Sequence, residues 1–318
     1  MTAPTHNTPT NSTPTNTIPA GDALASTGTS TSSLDPRRHA YRPDLADEAL
    51  RGKVLAPRYT KGEAATILRT SVPLRKQPVY TAPFETEALF GEAATIFDSA
   101  EGWAWVQLAG DRYVGYVPAD ALVMGLPPPT HRVKSTGTFI YPEPEIKTPP
   151  LLHLSLNSSF AVASSSDRFY ELSTGGFVVA RHVAEIGWRD RDFVEVAERF
   201  LGTPYLWGGK SRVGIDCSGL IQVAMQACGF NPPRDSDLQR AEIGIDVMVP
   251  ADLDGLQRGD IVCWPGHVGI MADGVMLLHA NAHHMAVAIE PLPEAAARIK
   301  ASSGKGVSAI RRVSGLTS

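Results

Sequence analysis

The stretch Tyr205-Leu-Trp-Gly-Gly-Lys-Ser-Arg-Val-Gly-Ile-Asp-Cys-Ser-Gly-Leu220 decides how the rest of the chain is read. After Cys217 the apolar residues Leu220, Ile221, Val223, Ala224, Ala227 and Cys228 recur at helical spacing, and Gly229 with Pro232 and Pro233 supplies a stop. Before it, Gly208, Gly209 and Gly214 interrupt any regular element. The pattern predicts a helix that starts at Cys217. The unpaired N–H groups and positive dipole end of a helix favour thiolate over thiol, so the position suits a nucleophile. A free cysteine is as readily a small buried hydrophobe, and without a base it decides little.

A candidate base lies downstream. Asp260-Ile-Val-Cys-Trp264 and His267-Val-Gly-Ile-Met271 read as strands separated by Pro265-Gly266. Ala272-Asp273-Gly274 fits a three-residue hairpin loop with glycine in the left-handed position, and Val275-Met-Leu-Leu-His279 returns. That register places His267 opposite His279, where facing residues share one face about 5 Å apart. One imidazole would take the thiol proton and the other would orient it, the arrangement of nucleophile, base and orienter. Either histidine alone would more simply be a satisfied core residue. Two in one register downstream of a helix-start cysteine favour catalysis.

These residues resemble the NlpC-type cell-wall cysteine peptidases. The matching runs are Gly202-Thr-Pro-Tyr-Leu-Trp-Gly-Gly209, Asp216-Cys-Ser-Gly-Leu220, Pro233-Arg-Asp-Ser236, Gly259-Asp-Ile-Val262, His267-Val-Gly-Ile270 and Leu278-His-Ala280, in the family's order. The resemblance implies an α+β fold, with a papain-like peptidase domain preceded by two small SH3-like β-barrel modules. Within the family the chain is similar to the branch that cuts free murein peptides between γ-D-glutamate and a diamino acid, the γ-D-glutamyl-L-diamino acid endopeptidase or dipeptidyl-peptidase VI type.

The chain has 318 residues, 43% of them hydrophobic, and a net charge of −4, which implies neither a nucleic-acid nor an anionic-membrane partner. Residues 1–34 are Thr, Ser, Pro and Asn-rich and are expected to be a disordered tail. They show no basic start followed by an apolar run, so a cytoplasmic protein is expected. No later stretch approaches a membrane helix. Three cysteines do not make a disulfide framework, and a thiolate nucleophile suits a reducing compartment.

Residues 35–53 form a charged lead-in, with a short helix expected from Asp44 and the task of strapping the modules together. Short extended runs at 64–68, 93–97, 102–108 and 113–117 predict a small barrel over 54–125. Leu89-Phe-Gly-Glu92, Gly102-Trp-Ala-Trp105 and Asp111-Arg-Tyr-Val-Gly-Tyr-Val-Pro118 resemble the first SH3-like module of the same branch. Pro127-Pro-Pro129 leads into a second, degenerate module over 126–188, and the peptidase domain fills 189–318.

Trp103, Trp105 and Tyr116 read as barrel core and rim. The resemblance sets Tyr113 apart, implying that it leans over the peptidase cleft and closes one end. A bound N-terminal amine needs a carboxylate and neutral acceptors. Asp235 and Ser236 offer that chemistry, and the resemblance places the pair at the substrate amine. Asp237 reads as a solvated charge. Tyr205 resembles the family tyrosine that helps the Cys217 N–H stabilise the oxyanion. Asp216 and Ser218 read as helix caps and as binding candidates. His283 and His284 lack a metal-ligand grouping and read as loop residues, so neither a metal nor a cofactor is expected.

The expected function is hydrolysis of the γ-D-glutamyl to diamino acid bond in murein tri- or tetrapeptides with a free N-terminal L-Ala, for cell-wall peptide recycling. Cys217 acts as nucleophile, His267 as base and His279 as orienter. An acyl transferase using the same thioester and a non-catalytic wall-fragment binding protein are the alternatives. The oligomeric state is not legible.

Overall fold

The computed structural model describes residues 34–313. The expectations of a disordered tail and of no export signal concern residues that, apart from Leu34, lie outside that range.

The six-stranded antiparallel sheet at the C-terminal end takes the order Ile245–Val247, Ala309–Arg312, Ile261–Trp264, His267–Met271, Met276–Asn281 and Ala286–Pro291. Both faces are covered. Ile261, Cys263, Val268, Ile270, Leu278 and Val287 pack against helices α1 (Phe193–Glu198) and α2 (Cys217–Ala227). The alternate residues Val262, Trp264, Met271, Leu277 and Ile310 pack with Leu292 and Ala295 of a later helix, Leu292–Ser303. This is the period-2 alternation of strands buried on both faces. In α2 every residue except Gln226 is buried, so it is a central helix lodged between sheet and modules. The fold is α+β and papain-like.

The first module is a five-stranded antiparallel sheet in the order Leu122–Val123, Glu63–Ile67, Ala93–Ala100, Trp103–Leu108 and Val114–Pro118. A ribbon of Ser71–Leu74 and Thr86–Leu89 joins it through an Arg75–Tyr116 bridge. The core contains Ile67, Leu74, Val106, Leu108, Tyr113 and Val117. The second module pairs a three-stranded with a five-stranded sheet around Val133, Ile140, Leu154, Leu172 and Val178. Phe90 of the first module sits in that core, and Ser159 donates its N–H to the Phe90 carbonyl at 3.0 Å. The approach is close enough that a Cβ on Gly91, at φ +82°, would lie 1.7 Å from the Ser159 carbonyl oxygen.

The lead-in differs from expectation. From Asp44 it forms the strand Leu45–Asp47 and a single turn over Glu48–Leu50 capped by the Asp47 side chain, with no α-helix. Leu45 is buried with Phe97 and Trp105, and residues 45–47 pair in parallel with Arg58–Thr60, so tertiary pairing outweighs local helix preference. Among the described residues no helix is long and apolar enough to cross a membrane.

Candidate active site

Cys217 is the first residue of α2 and is 7% exposed. Asp216 is the N-cap, accepting the Gly219 N–H at 2.7 Å with one oxygen and the Gly208 N–H at 2.8 Å with the other. Arg234, 1% exposed, meets both Asp216 oxygens at 3.0 and 2.8 Å, Ser218 Oγ at 2.8 Å, and Thr86 Oγ1 of the first module at 2.8 Å. The helix start is thus tied to the module by one buried guanidinium. Ser218 Oγ in turn donates to Asp216 at 3.3 Å. Asp216 and Ser218 are thus both held within this network, Asp216 as the N-cap.

The histidines meet, through a register other than the expected one. The loop is 273–275, one place further on, because Asp273 Oδ1 accepts both the Val275 and Met276 N–H groups at 2.7 Å. Gly274 does not take the left-handed conformation. Met271 pairs with Leu277 and Ile270 with Leu278, so His267 lies diagonal to His279. A shift of two residues keeps every side chain on its face. The position opposite His279 falls to Gly269, where a Cβ would stand 3.1 Å from that of His279. Across this gap His267 Nε2 reaches His279 Nδ1 at 2.8 Å.

The chain of contacts continues to two residues that sequence reasoning missed. His279 Nε2 lies 2.8 Å from Glu290 Oε1, and Arg298 donates to Glu290 Oε2 at 2.6 Å and to Oε1 at 2.5 Å. Glu290 would be raised by burial, but Arg298 and His279 outweigh this and hold it at about 2. As a carboxylate it only accepts, so His279 carries its proton on Nε2 and accepts on Nδ1. His267 then carries its proton on Nε2, leaving Nδ1 as the lone pair for the thiol proton. The signal was a single charged residue in the apolar run Ala286–Pro291, two places beyond the partner of His279, Ala288.

Burial favours the neutral form of both the thiol and the imidazole in the resting site. Burial and then the charge of Asp216 push Cys217 up to about 12, against the lowering pull of the Val268 N–H, Arg234 and the Ser218 N–H. Burial, with the charges of His279 and Arg298, brings His267 down to about 3. Desolvation opposes the expected thiolate preference of the helix start, because burial penalises the anion. Cys228 and Cys263 are also free and buried.

At the other end, Tyr113 is 2% exposed and its hydroxyl points to Asp235, 3.2 Å from Oδ2 and 3.4 Å from Oδ1. Asp235 holds the N-cap position of helix α3 (Ser236–Glu242), yet its side chain does not cap the helix. It is turned to Tyr113 and to Arg37 of the lead-in, 2.8 Å away. Burial raises Asp235, while Arg234 and Arg37 counter it. Ser236 is half-buried beside it. Asp237 is not merely solvated: it pairs with Arg37 at 2.9 Å. Tyr205 is half-buried against the core around α2, and its phenol is raised by burial and then by Cys217 and Asp216.

His279, His284 and Glu290 bring ligand atoms within 4.8 Å of one another, but Glu290 is already matched by Arg298 and His279. His283 and His284 lie in an exposed loop. A cleft of about 810 Å³ where the modules meet the peptidase domain, lined by Phe90, Pro128, Arg132, Phe160 and Phe230, includes none of the candidate residues.

Residues 74–122 match the bacterial dipeptidyl-peptidase SH3 domain and residues 202–301 the NlpC/P60 family. The dipeptidyl-peptidase 6 of Lysinibacillus sphaericus is 26% identical over 72% of this chain and 92% of its own length. The γ-D-glutamyl-L-lysine dipeptidyl-peptidase of Bacillus subtilis is 28% identical over 66% and 76%. An NlpC/P60 family protein from Bacillus cereus shares the fold, with a TM-score of 0.66 at 22% identity, covering 80% of this chain and all of that one. With a buried cysteine at a helix start, two hydrogen-bonded histidines and these likenesses, the chain is a peptidase that carries an NlpC/P60 domain over residues 202–301 and, ahead of it, a bacterial dipeptidyl-peptidase SH3 domain over residues 74–122.

Proposed function

We propose that this peptidase hydrolyses the γ-D-glutamyl to diamino acid bond of free murein tri- or tetrapeptides whose N-terminal L-Ala is unblocked. The observation that carries the reading is Asp235, a half-buried carboxylate turned away from its helix to meet the Tyr113 hydroxyl. A carboxylate at a closed cleft end suits an ammonium, because a buried cation without a partner is costly. The name of the Bacillus subtilis relative supports the bond type, and that of the Lysinibacillus relative supports a dipeptidyl-peptidase.

In this reading the Cys217 sulfur adds to the γ-carbonyl carbon as its proton passes to His267 Nδ1. The developing imidazolium is stabilised through His279 by Glu290. The oxyanion is met by the Cys217 N–H and the Tyr205 hydroxyl. His267 returns the proton to the departing amine, leaving a thioester on the glutamate side chain. Water, deprotonated by His267, releases the acid and the thiol.

The test is purified protein with L-Ala-γ-D-Glu-diaminopimelate and L-Ala-γ-D-Glu-L-Lys, each free and N-acetylated, with products identified by mass. Release of L-Ala-D-Glu from the free peptides alone is expected. A new amide formed with added amine would indicate the transferase, and binding without turnover the wall-fragment binder. Efficient cutting of intact peptidoglycan would overturn the proposal.

A further inference from the structure

Arg37 lies ahead of both modules, yet its guanidinium ends in the peptidase domain. It donates to Asp235 Oδ2 at 2.8 Å, to both oxygens of Asp237 at 2.9 Å, and to Asp35 at 2.7 to 3.1 Å. The backbone fixes it there. The Val114 N–H donates to the Arg37 carbonyl at 2.8 Å and Gln107 Nε2 to the Arg38 carbonyl at 2.8 Å, while Arg38 pairs with Glu242 of α3. Val114 directly follows Tyr113. The lead-in and the tyrosine are thus clamped to each other and converge on the same carboxylate from two sides.

The two oxygens of Asp235 are treated differently. Oδ2 takes Arg37 and the shorter Tyr113 contact, whereas Oδ1 has only the Tyr113 contact at 3.4 Å. Three carboxylates surround one guanidinium, so the cluster of Asp35, Asp235, Asp237 and Arg37 keeps net negative charge. Arg234 nearby is matched by Asp216. A further cation is still welcome.

We propose that Arg37 is a positioning residue for the substrate amine: it holds Asp235 by one oxygen so that the other faces the peptide's N-terminal ammonium. This rests on the amine-end reading of Proposed function. The lead-in is then part of the specificity apparatus, and the amine site is assembled from lead-in, first module and peptidase domain.

The experiment measures KM and kcat for free and N-acetylated L-Ala-γ-D-Glu-diaminopimelate with the full chain, as wild type and as Arg37→Ala, Arg37→Lys and Asp237→Asn, together with the thermal midpoint of each. For R37A, KM on free peptide is expected to rise about tenfold or more, the loss of a hydrogen bond between charged groups, with kcat within about twofold. The ratio of free to acetylated kcat/KM should narrow. R37K, which keeps the charge but loses the fork that spans the three carboxylates, should fall between. D237N should change KM little, since Asp35 and Asp235 still hold Arg37. Unchanged KM in R37A and R37K, or an equal loss on both substrates, overturns the proposal in favour of a purely structural strap. If R37A does not unfold cooperatively, R37K alone decides, and a wild-type KM for R37K overturns it. A wild type that cuts both substrates equally refutes the amine end itself, and the role of Arg37 with it.

Discussion

His279 Nε2 stands 2.8 Å from Glu290 Oε1, and this contact decides where the protons of the relay sit. His267, His279 and Glu290 come from three adjacent strands, each step running diagonally across the sheet. Remove the carboxylate and His279 is free to carry its proton on Nδ1. That would force His267 to hold its own on the nitrogen meant for the thiol.

Glu290→Ala should accordingly lower kcat on the order of 100-fold with little change in KM, within the span of a lost general-base contribution. Glu290→Gln, whose carbonyl still accepts from His279, should retain more activity. Steady-state kinetics on free tripeptide test this. A variant E290A with wild-type kcat would leave the tautomer argument without support.

Gly269 offers a second route to the same relay. A Cβ there would meet Leu277 Cδ1 at 2.8 Å and His279 Cβ at 3.1 Å, so Gly269→Ala must push the imidazole or its strand. A displacement of this size is expected to cost about 10- to 100-fold in kcat. The thermal midpoint, measured alongside, separates displacement of His279 from unfolding of the sheet.

The pH dependence follows from the lowered His267 and the raised Cys217. Because His267 is held at about 3, the base stays unprotonated through neutral pH, and kcat should show no inflection near 6.5. In kcat/KM the acid limb should report Asp235, above the usual carboxylate range, and the basic limb the substrate amine near about 8. With Cys217 at about 12, alkylation by iodoacetamide should climb about tenfold per pH unit from pH 6 to 9. A plateau at pH 5 to 7 would instead reveal a thiolate–imidazolium pair. Stability carries the same sign: a histidine lowered below its unfolded value stabilises the fold above about pH 6.5, and this is lost as pH falls toward the folded value. The thermal midpoint should therefore drop between pH 7 and 5, less steeply in His267→Asn.

Arg234, buried and paired with Asp216, is costly to remove. Arg234→Ala strands the Asp216 carboxylate, 7% exposed, and breaks the tie to Thr86. Deleting one partner of a buried pair costs about 3 to 5 kcal/mol. Denaturant unfolding measures the loss, and Thr86→Val should show a small fraction of it.

What the sequence determined by itself is local. Helical spacing after Cys217 placed it in the first turn of α2, and two-residue periodicity put His267 and His279 on one sheet face. The loop register was read one place early, and parity absorbed the error because a two-residue slip changes no face. Periodicity says which way a side chain points, and it says nothing about which distant segment arrives there. Only the tertiary structure brought Glu290 and Arg298 to His279, Thr86 to Arg234, and Arg37 to a carboxylate 198 residues away. It also set the burial of Cys217, since a helix end is visible in the sequence and the desolvation that opposes a thiolate there arises only when sheet, helix and modules close together.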